Sequence, residues 1–444
     1  MEKYIVITFI FTLLIFNIAV LIFLSREQSF SRKFFSPFGF FMLFYSFVFY
    51  FVPIVQLLTN NGRFDFLIHD KTHYFFYSSL LAFFYQLSAV VAFFVIKRPK
   101  INTESLRYAS SNYDISSRNV AFFCFIIFII GYFFISQLLL NYLGGMHIFM
   151  VDRINILSGY GYPLKMLSFS LPLIVLLFLK CKGKVAKPGI IILFVFSFLI
   201  FNLVGSRTNA VIAIPYLFLA YLMSDINSRV KRLLIFRVLF LFILLLMLMG
   251  LLSDVRESFK VESSSINHEN RSSLVASSLD RFSNQLFTNY GHNELLALVV
   301  ERKDFFDYSH GMTFFAGFVS FIPRAIWSDK PLGGGPMLTN IIVPGSYSLG
   351  GNQGNTSYTT GILIESFLNF SVLGVFFVGF FHGLIIALIT RFTNNVVNCV
   401  DFFIFICLTH YFSIVFVTGE FLGVFSSFVF MLIPLFILNK LRFK

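Results

Sequence analysis

Long apolar runs that recur along the whole chain restrict its fold more than any other feature. Each run is about 20 residues long or somewhat shorter, and about 20 apolar residues in a helix cross the hydrocarbon core of a bilayer. The predicted fold class is therefore an all-α, polytopic integral membrane protein. We predict eleven spans, within a range of ten to twelve, at residues 4–24, 38–58, 74–96, 119–143, 165–179, 189–204, 209–223, 236–252, 364–389, 400–417 and 420–438.

The composition agrees with a membrane protein and excludes an ordinary soluble domain. Hydrophobic residues make up 57% of the chain and charged residues 12%, whereas a soluble domain carries about 25% charged residues. The formal net charge of +13 lies mostly in short loops between apolar runs. Lys and Arg in such loops set the orientation of the spans, so we predict no nucleic-acid partner.

The distribution of Lys and Arg predicts which loops share a side of the membrane. The odd-numbered short loops and the C-terminus together hold twenty of these residues, and the N-terminus and even-numbered short loops hold six. The richer side is expected to be cytoplasmic. This places residues 253–360, a single long loop, on the outer side, between eight spans in residues 1–252 and three in residues 361–444. The first apolar run is too long for a signal peptide, and we expect it to be retained.

The long outer loop is predicted to carry short helices along the bilayer surface. Apolar residues at helical spacing over 275–290 indicate an amphipathic helix, and a second short helix is expected over 294–300. Residues 312–322 form an apolar run too short to span, which predicts an interfacial or re-entrant helix ended by Pro323. The glycine-rich stretch 330–360 is predicted to be loop, with the glycines at 333–335 either a flexible linker or an anion-binding nest of backbone N–H groups.

Two cations in this loop are candidates for binding phosphate. Arg324 and Lys330 lie six residues apart, with Trp327 between them. One interpretation is a diphosphate clamp in which Trp327 stacks on a sugar. The alternative is that all three mark the boundary between membrane and water.

Two more arginines are predicted on the outer side. Arg207 lies in a tight turn between two short spans, where its planar guanidinium could bind a phosphate or diphosphate or simply reach water. Arg153 lies in an outer loop beside Asp152. This loop could close over a substrate, or the Asp152–Arg153 pair could be surface charge.

A glycosyl or acyl transfer at this site would also need a base that takes the proton of the acceptor hydroxyl, and that base would have to lie on the outer side. Glu365 begins the ninth predicted span, with Asn369 one turn later on the same face, and a carboxylate just inside a membrane is more often functional than a surface one. His310, His292 and Glu420 are further candidates. The chain has no HExxH, paired DxD or Walker loop, and we predict no metal and no other cofactor.

These residues resemble the Wzy-type oligosaccharide repeat-unit polymerases of bacterial O-antigen and capsule synthesis. The motifs that carry the resemblance are GSR, Gly-x-Thr, IPRAIWSDKP and a spaced Gly, Glu, Asn-Phe, Gly pattern, here at residues 205–207, 311–313, 322–331 and Gly361, Glu365, Asn369, Phe370 and Gly374. The last motif departs from the family pattern, which commonly has a small residue or glycine within 369–374.

The resemblance implies a metal-independent glycosyltransferase with a GT-C-like fold in the bacterial inner membrane, active on its periplasmic face. Its donor and acceptor would be oligosaccharides linked to undecaprenyl diphosphate, and a chain-length regulator would be a partner. The growing glycan would move from its lipid carrier to the non-reducing end of a new lipid-linked unit. Arg207 and Arg324 would bind the diphosphate.

Three other functions fit part of the same pattern. A flippase for lipid-linked oligosaccharides would place charges deep in several spans, whereas the cations here lie at the edges. An O-antigen ligase performs the same chemistry on a different acceptor, and the 322–331 motif favours a polymerase over it. A non-catalytic subunit of an export machine would tolerate alanine at Arg207 and Arg324.

Overall fold

The computed structural model describes residues 2–25, 36–96, 102, 105–106, 287, 289–324, 326–347, 357–397 and 399–440. The fourth to eighth predicted spans lie outside the described residues, as do Arg153, Arg207 and nearly all of the predicted helix 275–290. Every regular element within the described ranges is helical, which agrees with the predicted all-α class.

The described part of the chain contains nine α-helices, two of which include a π-helical turn. In α2 the π-helical turn is Phe47–Phe51, and in α8 it is Tyr411–Val415. Single 3₁₀ turns occur at Asp65–Leu67, Lys303–Phe305 and Thr393–Asn395. The helices are α1 (Glu2–Ser25), α2 (Pro37–Thr59), α3 (Lys71–Val95), α4 (His292–Glu301), α5 (Met312–Phe318), α6 (Gly334–Ile342), α7 (Gly361–Phe392), α8 (Cys399–His410, Tyr411–Val415 and Phe416–Thr418) and α9 (Phe421–Lys440).

Five of these helices are long and apolar enough to cross a membrane: α1, α2, α3, α7 and α8. Their bounds agree with the corresponding predicted spans to within three residues at every end. A sixth helix, α9, is apolar over Phe421–Phe430. A helical, membrane-embedded protein is therefore confirmed, whereas the total of eleven spans and the GT-C-like arrangement stay predictions.

The chain divides into two compact units. The first comprises Met1–Ile101, Ser273–Phe392 and Leu408–Ser426, and the second comprises Asn102–Ser272, Thr393–Cys407 and Ser427–Lys444. In the second unit, Asn102 and Ser105 bind Thr393 through hydrogen bonds of 3.0 and 2.6 Å. All of the contacts described below lie within the first unit.

Close packing of α3 against α7 forms the centre of the first unit. Gly379 and Gly383 lie one turn apart on the face of α7 that meets α3. A Cβ atom at Gly379 would overlap Ser88, and one at Gly383 would overlap the backbone of Ala89. Small residues at this spacing let two helix backbones approach closely, which is how helices associate where lipid removes the hydrophobic driving force.

Polar side chains tie the same helices together inside the apolar bundle. The Tyr85 hydroxyl lies 2.8 Å from Nδ1 of His382, and Nε2 of His382 lies 2.6 Å from the Phe412 carbonyl oxygen. A carbonyl only accepts, so the neutral His382 ring carries its proton on Nε2 and accepts from Tyr85. Phe412 lies in the π-helical turn of α8, and such turns are often found at functional positions.

The long helix α7 is interrupted at Phe370 and Ser371. Phe370 has φ −138° and ψ 20°, and Ser371 has φ 56° and ψ −147°. A positive φ is costly for serine, so the surrounding contacts must hold the break in place. It separates a nine-residue segment, Gly361 to Asn369, from the rest of α7.

Two details of the long loop were predicted wrongly. Residues 330–360 were predicted to be loop throughout, but residues 334–342 form α6. The run 312–322 is helical only to Phe318, so α5 ends well before Pro323. Glycine lowers helix propensity, and here tertiary packing overrides that preference, as the contacts of α6 show below. The predicted helix over 294–300 is confirmed as α4.

Candidate functional site

Four segments of the chain meet at the first two turns of α7, and we call this assembly the α7 site. It comprises residues 361–369 with the segments 309–313, 333–335 and 420–421 packed on them. Three of the four motif segments that carry the family resemblance contribute to it or adjoin it. The contacts also place the loops before α5, α6, α7 and α9 at one end of the helices, as the charge distribution predicts.

Glu365 lies at the centre of the α7 site and is fully buried. Its Oε2 accepts a hydrogen bond of 2.6 Å from the backbone N–H of Phe421, the first residue of α9, and one of 3.4 Å from the Thr360 hydroxyl. The Thr313 hydroxyl also interacts with this carboxyl group. Glu365 thus joins the starts of α7 and α9, where free backbone N–H groups favour an acidic partner.

Asn369, one turn along, is also fully buried and makes three hydrogen bonds. Its Oδ1 accepts from the backbone N–H of Gly311 at 2.9 Å, and its Nδ2 donates to the Thr313 hydroxyl at 2.6 Å and to the Glu365 carbonyl at 2.7 Å. The predicted shared face of Glu365 and Asn369 is confirmed. Asn369 acts here as the anchor of the turn at 309–313, so its position explains how two distant motifs come together.

The backbone around His310 completes this turn. The N–H groups of Ser309 and His310 donate to the carbonyls of Leu368 and Asn369 at 3.0 and 3.1 Å. His310 has a φ of 45° and Gly311 a φ of 89°. The His310 side chain is exposed, whereas Glu365 is enclosed. The two predicted base candidates therefore lie on neighbouring segments but differ in accessibility.

The three glycines at 333–335 pack directly against two carboxyl groups. A Cβ at Gly334 would lie 3.1 Å from Cδ of Glu365, and one at Gly333 would lie 3.0 Å from Oε1 of Glu420. A Cβ at Gly335 would overlap Oε2 of Glu420, which accepts a hydrogen bond of 2.8 Å from the Gly335 N–H. The linker interpretation is wrong, and the N–H group that a nest would offer to a ligand is bound by the protein's own Glu420.

Arg324 and Lys330 lie in the loop that connects α5 to α6, which leads directly into Gly333. Among the described residues, the hydrogen-bond partners of both side chains are backbone carbonyls: Arg324 donates to Ser328 at 2.9 Å, and Lys330 donates to Ile322 at 2.9 Å. Burial, and secondarily the nearby Arg324 charge, lowers the pKa of Lys330. Among the described residues neither cation has an acidic partner. Asp329 lies in the same loop, where its carboxylate accepts a hydrogen bond from Ser328 and pairs with neither cation. Two neighbouring positive charges that are not paired with a carboxylate can bind an anion.

Trp327 lies between these cations in the same loop. Its ring is half-buried and meets Phe315 of α5 edge to face, with ring centroids 6.4 Å apart. α5 in turn packs on the start of α9 through Phe314 and Phe421, with centroids 5.3 Å apart. Trp327 therefore fixes the cationic loop to the helix that lies on the α7 site.

A second buried carboxylate, Glu294 of α4, is a residue that the sequence did not single out. It accepts hydrogen bonds from Nε2 of Gln56 at 2.8 Å and from the backbone N–H groups of Arg63 at 3.2 Å and Phe64 at 2.7 Å. From the sequence it was predicted only as the first residue of the short helix over 294–300. The available signal was the sequence His-Asn-Glu at the start of that helix, three polar residues that are all buried.

His292 lies in the same turn, and its Nδ1 faces Gly361, the first residue of α7. Burial lowers the pKa of His292 to about 4, partly opposed by the Thr360 backbone. A neutral histidine here is a packing element beside the α7 site. Within the described ranges no three His, Cys, Asp or Glu side chains are grouped so as to hold a metal ion.

No protein-family model, curated protein or solved structure matches this chain.

Proposed function

We propose that this protein polymerises a bacterial surface glycan, the O-antigen or a capsular polysaccharide. It would transfer the growing chain from undecaprenyl diphosphate to the non-reducing end of a new lipid-linked repeat unit. One observation carries the proposal. The 311–313 turn and the Gly361–Gly374 segment meet at Asn369, one turn from Glu365. The loop at 322–331 adjoins them and presents two cations that have no acidic partner among the described residues.

The reaction breaks the bond between the anomeric carbon of the growing glycan and its diphosphate. A bond forms between that carbon and a hydroxyl oxygen of the acceptor sugar, and the hydroxyl proton passes to a base. Undecaprenyl diphosphate departs with the bonding electron pair. The protein must therefore bind the departing diphosphate and place a base beside the acceptor.

Arg324 and Lys330 serve the departing diphosphate in this proposal. Their present partners are neutral carbonyls, so a diphosphate gains two charge-assisted contacts without displacing an internal carboxylate. Their like charges repel each other, and a bound anion would reduce that repulsion. Such donors stabilise charge that develops on the leaving group as the bond breaks. Arg207, and Arg153 with it, would extend this set.

His310 receives the acceptor proton in this proposal, and Glu365 holds the site together. The His310 ring is exposed on a turn that Asn369 fixes, so an acceptor can reach it. Glu365 has no exposed surface and is bonded to the start of α9. Trp327, half-buried beside the cations, offers an aromatic face to a sugar ring.

The test is complementation of a polymerase-deleted strain, with the surface glycan separated as a ladder on a gel. Wild type should restore the ladder. Arg324→Ala should reduce polymerisation about a hundredfold at equal membrane levels, the effect expected for losing one donor to developing charge. Lys303→Ala is the matched control, because Lys303 is an exposed cation on the 3₁₀ turn after α4.

Three results would contradict the proposal. A full ladder from Arg324→Ala would remove the role of this cation. Loss of even the single-unit band on deletion of the gene would identify a transporter of lipid-linked oligosaccharide or a ligase. Wild type that fails to restore any ladder would exclude the polymerase.

A further inference from the structure

The turn between α2 and α3 is built around the buried carboxylate of Glu294. Three hydrogen bonds reach that carboxylate, two of them from the backbone N–H groups of Arg63 and Phe64. The turn begins at Asn60, whose φ of 50° is left-handed and whose Oδ1 accepts from Lys3 at 2.6 Å. The backbone that carries Arg63 is thus fixed from both sides.

The Arg63 guanidinium lies over two aromatic rings. Its central carbon is 4.8 Å from the ring centre of Tyr358 and 5.2 Å from that of Phe64. The Tyr358 and Phe64 rings also meet edge to face at 5.4 Å. Stacking uses the face of a guanidinium and leaves its N–H edge free, and that edge is the part that binds phosphate or carboxylate in two parallel hydrogen bonds.

Tyr358 connects this cation to the α7 site. Its backbone N–H donates to the Thr339 hydroxyl of α6 at 3.0 Å. Its carbonyl oxygen lies 2.8 Å from the position of a Cβ on Gly335, the residue whose N–H holds Glu420. Arg63 is therefore stacked on the segment around Tyr358, which packs directly against the α7 site. In the sequence Arg63 is far from that site.

The Arg63 side chain is exposed and forms no ion pair or side-chain hydrogen bond with any described residue. The buried Glu294 of α4 binds the backbone of Arg63. A buried carboxylate and two rings thus hold the Arg63 charge in one orientation, and it has no acidic partner among the described side chains, so it is placed for an external anion.

We infer that Arg63, stacked on Tyr358, binds an oxyanion of the second substrate. The anion is either the diphosphate of that substrate's lipid carrier or the carboxylate of an acidic sugar. The assignment to a second substrate rests on the proposed function, because a polymerase must hold two lipid-linked glycans at once. Arg324 and Lys330 serve the leaving diphosphate of the first.

The experiment measures binding to the purified full-length protein in lipid nanodiscs, so it does not depend on polymerisation. Farnesyl diphosphate probes the carrier and glucuronate probes the acidic sugar, each by titration. Arg324 and Lys330 offer farnesyl diphosphate a second site, so its two binding events are fitted separately and the one that Arg324→Ala removes is set aside. Arg63→Ala should weaken one of the two by about tenfold to a hundredfold, the range for a lost charge-assisted contact. Arg63→Lys should lie between, because an ammonium group cannot make the paired contact. Lys303→Ala should bind like wild type.

A purely structural role for Arg63 makes a different prediction. If Arg63 only holds the Tyr358 segment, Tyr358→Leu should weaken binding as much as Arg63→Ala, and that result would overturn direct binding. Folding of each variant is followed by its unfolding midpoint, and Arg63→Lys, which keeps the charge, provides the comparison if the alanine variant does not fold.

The outcomes separate the two sources of the anion and the two proposals. Loss confined to farnesyl diphosphate supports the carrier, and loss confined to glucuronate supports an acidic sugar. Wild type that binds neither probe, or Arg63→Ala that binds both as wild type does, overturns the inference. Arg63-dependent binding in a protein that restores no ladder would keep the anion site and remove the polymerase.

Discussion

Glycine permits close approach in two regions of this protein, with different partners in each. In the helix interface, Gly379 and Gly383 of α7 meet the backbone and small side chains of α3. In the α7 site, Gly334 and Gly335 meet the carboxyl groups of Glu365 and Glu420. The first contact is mainly with the backbone of the facing helix. The second brings two acidic side chains against the start of a helix.

The difference shows that one residue type can serve stability in one place and the position of charge in another. In the interface, the missing side chain lets two spans pack, and packing is the main source of helix association in lipid. In the α7 site, the missing side chain leaves room for Glu365 and Glu420, whose contacts fix three helix starts. The interface should therefore be sensitive in folding, and the site mainly in activity.

The largest effect is expected for Gly383→Leu. A side chain here would meet the Ala89 backbone, which cannot move away as a flexible side chain can. Overpacking of this kind costs about 3 kcal/mol, enough to remove most folded protein. The measurement is the yield and unfolding midpoint in detergent. Phe381→Leu, at an exposed position of the same helix, is the control. Equal yields of Gly383→Leu and Phe381→Leu would show that α3 and α7 can move apart without loss of folding.

The next effect is expected for Gly335→Ala, which should mainly affect activity. The new methyl would overlap Oε2 of Glu420 and displace that carboxylate. We expect a loss of polymerisation of about a hundredfold, which corresponds to about 3 kcal/mol in the barrier. Adding Glu420→Ala removes the overlap with the carboxylate but leaves the 2.8 Å contact with the Tyr358 carbonyl oxygen, so it should restore only part of the unfolding midpoint and none of the ladder. A variant with an intact ladder would contradict a functional role for this packing.

A smaller effect is expected from pH, through His292. Its pKa is about 4 in the folded protein and about 6.5 when unfolded. Between these two pH values the unfolded state binds more protons than the folded state. The contribution of His292 to the free energy of unfolding is therefore fully present above about pH 6.5 and is lost as the pH falls. The loss should reach about 2 kcal/mol at pH 5. Unfolding midpoints from pH 7.5 to 5 measure it. His292→Gln should flatten the profile, and an equally steep profile would assign the loss to other groups.

The smallest effect is expected for Asp70→Ala, at the start of α3 and away from both regions. Asp70 is exposed, and its carboxylate accepts from the His73 backbone N–H at 3.0 Å, which lowers its pKa. Removing such a cap costs about 1 kcal/mol. Asp70→Ser should recover most of the midpoint while activity stays unchanged in both variants. A loss of activity in either variant would contradict the expectation that substitutions outside the α7 site change stability and not activity.

Hydropathy predicted the described spans well and the contacts between distant segments poorly. The ends of α1, α2, α3, α7 and α8 agree with the predicted spans to within three residues, because the thickness of the bilayer sets the length of each apolar run. Arg324, Lys330 and Trp327 were correctly placed together because they are neighbours in the sequence. Arg153 and Arg207 lie outside the described residues.

The contacts that build the site depend on partners far along the chain. Glycines 333–335 looked like a linker because nothing nearby in sequence shows that Glu365 and Glu420 pack on them. Glu294 was not identified as a buried carboxylate because its partners, Gln56, Arg63 and Phe64, lie some 230 positions away. Apolar periodicity predicts which face of a helix is buried, but it does not predict which distant residue packs against that face.

The break in α7 has a consequence for how the protein fits its bilayer. A continuous helix of 32 residues would be about 48 Å long, far more than a hydrocarbon layer of about 30 Å. Such a helix would have to tilt strongly or thicken the lipid around it. Ser371 divides it, and the part from there to Phe392 is about 33 Å long. The first two turns need not follow the tilt of this longer part, so a change in membrane thickness can be absorbed below the break while Glu365 keeps its neighbours.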